Sequence, residues 1–170
     1  MRIDKKNVFL LVIALLFIAF IVKDFSYTRN VEKTYYGILY AEENGSLREL
    51  ESGTVRMKGT LSHSRRNERI KGTLNIAIGE CAGQIPFATH ANFYDRNLKW
   101  YNALLTNGEL NYDPVEIGGY TSSTLCFARN LSAIGMLLES DGNRFFLVAA
   151  KEKEGLPDAE SAVLESIYGG

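Results

Sequence analysis

Cys81, Cys126, His63 and His90 are the side chains of this chain best suited to redox or metal chemistry. Together they would make a four-ligand zinc set, but no C-x2-C or H-x3-H step is present, so no metal site is expected. Two cysteines also fit one disulfide, provided the chain lies in an oxidising compartment. A Cys81–Cys126 bridge would close a loop of about 45 residues and contribute up to ~4 kcal/mol. The alternative is two separate thiols, with Cys126 buried in an apolar strand. Ser122 and Ser123, in "GGYTSSTL", offer hydroxyl nucleophiles but lack the G-x-S-x-G elbow that would expose and activate one. Gly118-Gly119 reads as a turn or bulge, not a phosphate cradle. The carboxylates of Glu42-Glu43 and of Glu152 and Glu154 fall in polar, turn-like contexts and read as solvated surface. These residues point to no enzyme and imply no cofactor.

The least ordinary chemistry is electrostatic. Between Arg56 and Lys71, six basic residues (Arg56, Lys58, Arg65, Arg66, Arg69 and Lys71) meet one acid, Glu68, a local charge of about +5. From Asp24 onward the chain has 15 Lys and Arg against 19 Asp and Glu, so the rest of that region has nine bases against eighteen acids. That balance excludes a global nucleic-acid footprint. A solvated hairpin is the plain reading of the basic stretch. The functional reading is an anionic partner: lipid headgroups, a cell-wall polymer or an acidic protein face. Aromatics at Tyr35, Tyr36, Tyr40, Phe93, Tyr94, Trp100 and Tyr101 are suited either to a ligand cavity or to core and cross-strand pairs.

The elements that must position these residues are mostly strands. Asn44-Gly45, Asn107-Gly108 and Asp141-Gly142 permit the positive φ angles of tight hairpins. In "GTVRMKGTL", Val55, Met57 and Leu61 share one face, while Arg56, Lys58 and Thr60 share the other. In "RIKGTLNIAI", Ile70, Leu74, Ile76 and Ile78 alternate with Lys71, Thr73, Asn75 and Ala77. Such alternation predicts sheet with one buried and one wet face. Further strands are expected at 34–41, 86–94, 98–105, 120–128, 133–139 and 144–150, with short pieces near 46–51 and 109–117. "LPDAESAVLESIYGG" predicts a closing helix with Ala159, Ala162, Val163 and Ile167 on one side. The expected fold is mainly β, an antiparallel meander curled or barrel-like. A two-layer sandwich is the alternative.

The N-terminal run "KKNVFLLVIALLFIAFIVKD" sets the compartment. Its fifteen apolar residues, Val8–Val22, would span ~22 Å as a helix, short of a ~30 Å hydrocarbon core, although Lys23 can snorkel. Large and charged residues follow Ala19, so no small-x-small cleavage site is present and the run reads as a retained anchor. Arg2, Lys5 and Lys6 place the tail inside and the domain outside. The expected organisation is a cytoplasmic tail over 1–7, an anchor over 8–23, a stalk over 24–33 and an extracytoplasmic domain over 34–170, in a single-pass protein of the cell membrane.

This layout, an N-terminal anchor, then "TVRMKGTL" and "RIKGTLNIAI", then a closing "FFLVAAKEKEGLPDAESAVLESI", resembles small uncharacterised single-pass proteins of Gram-positive, spore-forming bacteria. The resemblance implies a membrane-tethered domain and carries over no catalytic residue. The functional expectation is a non-enzymatic interaction domain for an envelope component or protein. A small-ligand carrier with a lipocalin-like barrel is the alternative, and a hydrolase built on Ser122 or His90 a remote third.

Overall fold

In the computed structural model, residues 5–23, 27–63, 67–89, 91–92, 100–105, 114–128 and 130–168 are described. Helix α1 (Lys5–Lys23) precedes strands β1 (Tyr27–Glu43), β2 (Ser46–His63), β3 (Asn67–Ile78), β4 (Cys81–Thr89), β5 (Ala91–Asn92) and β6 (Trp100–Leu105). Strands β7 (Val115–Ile117), β8 (Tyr120–Ala128), β9 (Ala133–Ser140) and β10 (Asn143–Ala150) follow, then helix α2 (Leu156–Tyr168). The ten strands form one sheet, and every pairing is antiparallel. Leaving out β5 and β7, the pairings run β1-β2-β3-β4-β6-β8-β9-β10 and return from β10 to β1. This is a nearly closed, barrel-like meander and not a two-layer sandwich. Closure removes most of the strand edge that an open sheet would leave unpaired. The circuit is thinnest at β6, whose registers with β4 and β8 are short.

The period of two built into the strands produces the core. Inward positions of β1, β2, β3, β8 and β9 carry Tyr35, Leu39, Val55, Met57, Leu74, Leu125, Phe127, Ile134 and Met136. Val55, Met57, Leu74, Ile85, Leu125, Phe127, Met136 and Leu147 have no surface that a water molecule could touch, from outside or from a void within. Phe87 and Phe127 meet with ring centroids 4.9 Å apart. Phe127 and its neighbours thus fill the interior with apolar side chains, each worth about 1.5–3 kcal/mol on full burial.

In the long β2–β3 ladder, Gly59 and Gly72 lie directly opposite one another. A Cβ at Gly59 would stand 2.5 Å from the Lys71 carbonyl oxygen, and one at Gly72 would stand 2.3 Å from that of Lys58. Only hydrogen in place of a side chain permits this approach. At the opposite end, Asn44-Gly45 and Asp141-Gly142 turn with positive φ, as their types predict.

Helix α2 covers the outer surface of β9 and β10 with Leu156, Ala159 and Val163. The outward residues beneath it are Phe146, Val148, Ala150, Cys126, Ala128 and Ala133, all buried. A helix of 13 residues would not persist alone in water, so this packing holds it.

One expectation needs correction. The segment 24–33, expected as a stalk, is strand from Tyr27 onward. Its polar composition hides the strand, which pairing with Arg56–His63 of β2 supplies. The N-terminal run does form a helix, and its side chains from Val8 to Ile18 are all exposed. Among the described residues, no helix is long and apolar enough to cross a membrane. The Asn107-Gly108 turn lies outside the described residues.

Candidate functional site: a bare basic flank beside the helix junction

Strands β1, β2 and β3 share one outward face that no other described element covers. Register sets its order. Thr28 faces Ser62, which faces Arg69; Asn30 faces Thr60, which faces Lys71. Further along, Glu32 faces Lys58, which faces Thr73; Thr34 faces Arg56, which faces Asn75. Arg56, Lys58, Arg69 and Lys71 are all exposed on this face. The structure therefore brings together four of the six basic residues singled out in the sequence. The other two, Arg65 and Arg66, lie outside the described residues. Glu32 is the acid that stands among the four.

The same registers divide the barrel into two ends. One end holds the start of β1, the end of β2 and the start of β3, because Tyr27 pairs with His63 and His63 with Glu68. This is the end that the chain enters from α1. It also holds the β8–β9 turn, where Lys33 Nζ donates to the carbonyl oxygens of Asn130 (3.2 Å) and Leu131 (2.9 Å). Tyr35 Oη donates to the same Leu131 oxygen at 3.1 Å. Burial, together with the neighbouring charges of Lys151 and Arg29, holds the Lys33 ammonium below the usual lysine pKa.

The far end is acidic. Its turns and strand ends carry Glu42, Glu43, Glu49, Glu51, Glu80, Glu116, Glu139 and Asp141 against Arg48 and Arg144. Arg48 and Glu43 pair there through Nη2 at 2.6 Å and Nε at 2.8 Å, and the guanidinium holds the Glu43 carboxyl below its ordinary range. The α2 flank is acidic too, with Asp158, Glu160 and Glu165 on the helix.

The residues considered for catalysis and bridging are not drawn into one place. Ser122 is 1% exposed, and its hydroxyl donates to the Leu137 carbonyl oxygen at 2.8 Å within the β8–β9 bulge. It is structural there. His90 and the side chains of His63 and Ser123 lie outside the described residues. Both cysteines are buried. Cys81 belongs to the interior core, whereas Cys126 faces outward beneath α2, where its thiol donates to the Gly135 carbonyl oxygen at 3.4 Å. The bridge that an even count permitted is not formed, because the sulfurs belong to cores on opposite sides of the barrel wall. No group of three or more potential metal ligands occurs among the described residues.

Sequence reasoning missed a cleft of about 320 Å³ at the helix-proximal end. Ala128, Ala133, Ala150 and Ala159 form its apolar floor, and Lys151, Glu152 and Asp158 its rim. It arises where three strand ends meet the start of α2, a juxtaposition that no local pattern signals. No protein-family model, no curated protein and no solved structure matches this chain.

Proposed function

We propose that this chain is a membrane-tethered, non-enzymatic interaction domain, with α1 in the bilayer, the barrel outside the cytoplasm and the bare β1–β3 flank engaging an anionic partner. The observation that supports it most directly is the outward alignment of Arg56, Lys58, Arg69 and Lys71 on adjacent strands, uncovered by the chain's own helix. Tethering raises the effective concentration of anything at the same surface, so weak contacts suffice. The anchor reading draws on α1 itself. Its described side chains are 44–67% exposed where apolar and large, on every side of the helix. A helix with no polar face suits lipid better than water or a protein groove. Nineteen residues rise about 28 Å, and local thinning and lysine snorkelling accommodate a short apolar run.

The carrier alternative gains nothing from the interior. A ligand site needs several hundred Å³ of open space, and Phe127, Met57 and Leu125 leave none around themselves.

The test uses the full chain with a C-terminal epitope. The proposal expects flotation with neutral vesicles after an alkaline wash, and loss of the epitope when intact cells are treated with protease. Release by the wash, or epitope loss only after lysis, refutes it.

A further inference from the structure

The partner of the basic flank can be narrowed by asking where along the barrel that flank lies. Lys23 and Tyr27 are joined by four Cα steps, which reach at most about 14 Å. The start of β1 is therefore bound to stay close to the end of α1. Along the ladder, at about 3.3 Å per residue, Arg69 stands level with Thr28, about 3 Å beyond Tyr27, and Lys71 stands level with Asn30, about 10 Å beyond. Lys58 and Arg56 follow at about 17 Å and 23 Å. The basic side chains thus form a ladder whose lowest rungs stand beside the helix junction.

From this placement we infer that the anionic partner is the bilayer that holds α1, with Arg69 and Lys71 against its acidic headgroups and the barrel tilted onto its β2–β3 flank. The inference rests on the anchor reading proposed above. Three features support it over a distant partner. The negative surface potential of a membrane decays within a Debye length, about 8 Å at physiological ionic strength, and Arg69 and Lys71 are the rungs within or near that reach. Ser62, Thr60 and Thr73 interleave with the cations and offer hydroxyl donors to phosphate oxygens. The far end and the α2 flank carry Glu43, Glu80, Asp141, Asp158 and Glu165, so acidic lipid repels those two surfaces. Lys33 and Lys151 add positive charge at the same end.

The test is a distance measurement on the full chain in nanodiscs made of phosphatidylcholine alone or with phosphatidylglycerol. A fluorophore on Thr60→Cys reports the flank and one on Asp141→Cys the far end, each against nitroxide-labelled headgroups. The two native thiols are buried and stay unlabelled under folding conditions. Quenching at position 60 is expected to rise with acidic lipid and to fall with salt, while position 141 stays unquenched. Near-surface charges each shift such an equilibrium roughly fivefold, so Arg69→Ser with Lys71→Ser lowers the lipid-bound population about 25-fold, and Arg56→Ser with Lys58→Ser less than about fivefold. Equal losses from the two pairs, or quenching indifferent to lipid charge, overturns the inference. Loss of the protein from neutral discs in an alkaline wash overturns the anchor reading instead. Indifference to lipid charge combined with binding of soluble poly(glycerol phosphate) assigns the flank to a polymer and also overturns the lipid inference.

Discussion

The two outer flanks of the barrel are built from the same alternating pattern and finished in opposite ways. On β8, β9 and β10 the outward residues are Cys126, Ala128, Ala133, Phe146 and Val148, and α2 lies on them. On β2 and β3 the outward residues are Arg56, Lys58, Thr60, Arg69, Lys71 and Thr73, and no other described element lies on them. Small apolar positions invite a helix of the same chain, because a closely approached surface gains contacts all along its length. Long cations on a β-surface hold water and keep a helix away. The comparison separates the part of the surface that the fold covers from the part that it leaves exposed.

If both flanks hang on one interior, damage there should remove them together. Phe127 is fully buried, and its tilted ring meets that of Phe87 two strands along the sheet. Phe127→Ala is expected to cost about 3–5 kcal/mol, the usual range for emptying an aromatic site in a core. Urea unfolding followed by circular dichroism and by a probe on each flank should give coincident transitions, all shifted. Separate transitions for the two flanks would mean that the interior does not couple them.

The next effect is confined to the covered flank. A Cβ at Gly135 would stand 2.2 Å from Val163 Cγ2 and 2.8 Å from Cys126 Sγ. Gly135→Ala must therefore lift α2, at about 1–3 kcal/mol for an overpacked contact. Adding Val163→Ala should return part of that loss, because the two changes share one space. A double variant that simply sums the two penalties would show that α2 does not seat on Gly135.

These two flanks also show what the sequence made legible and what it did not. The outward and inward sets of "GTVRMKGTL" and "RIKGTLNIAI" follow from period-two alternation alone, and all of those strand faces stand as read. Strand β8 has the bounds expected from its apolar and β-branched run. The first half of β1 was hidden, since "YTRNVEKT" buries only Val31 and takes its strand form from β2. Long-range register was equally invisible: nothing local says that Tyr27 meets His63, yet that pairing puts the basic ladder beside the helix junction. The separation of Cys81 from Cys126 is of the same kind, because which side of a wall a thiol faces depends on closure of the whole sheet.

A smaller effect distinguishes the flanks by pH. On the covered side, burial and then the Glu160 carboxylate push the Tyr40 phenol up to about 12, and in the interior burial pushes the Cys81 thiol up to about 11. Tyr35, buried at the helix-proximal end, is raised as well, by burial. Each folded value exceeds its unfolded one, so the stability these groups contribute is complete below the unfolded values, near pH 9–10, and is lost as pH rises through the folded values. Stability should therefore fall from about pH 9 upward, and Tyr35→Phe should make that alkaline limb shallower. At neutral pH the same substitution should cost about 1 kcal/mol, the net worth of the bond to the Leu131 oxygen. An alkaline limb unchanged by Tyr35→Phe would show that the phenol ionises in the folded state as readily as in water.

The smallest expected change to stability is on the bare flank, and its smallness is the point. Arg56, Lys58 and Lys71 are exposed, and no ion pair or side-chain hydrogen bond of theirs is seen among the described residues. Replacing all three by Ser should move the midpoint of urea unfolding little, within about 0.5 kcal/mol per site, the range for surface positions away from any cap, core or network. Like charges on neighbouring strands repel, so removing them offsets part of that cost at low salt, an effect that should fade as salt screens them. A loss of several kcal/mol would place these cations in the structure of the barrel and remove the contrast with the α2 flank. Stability near the wild-type value shows that the fold does not require this charge and leaves the flank available to the anionic surface proposed above.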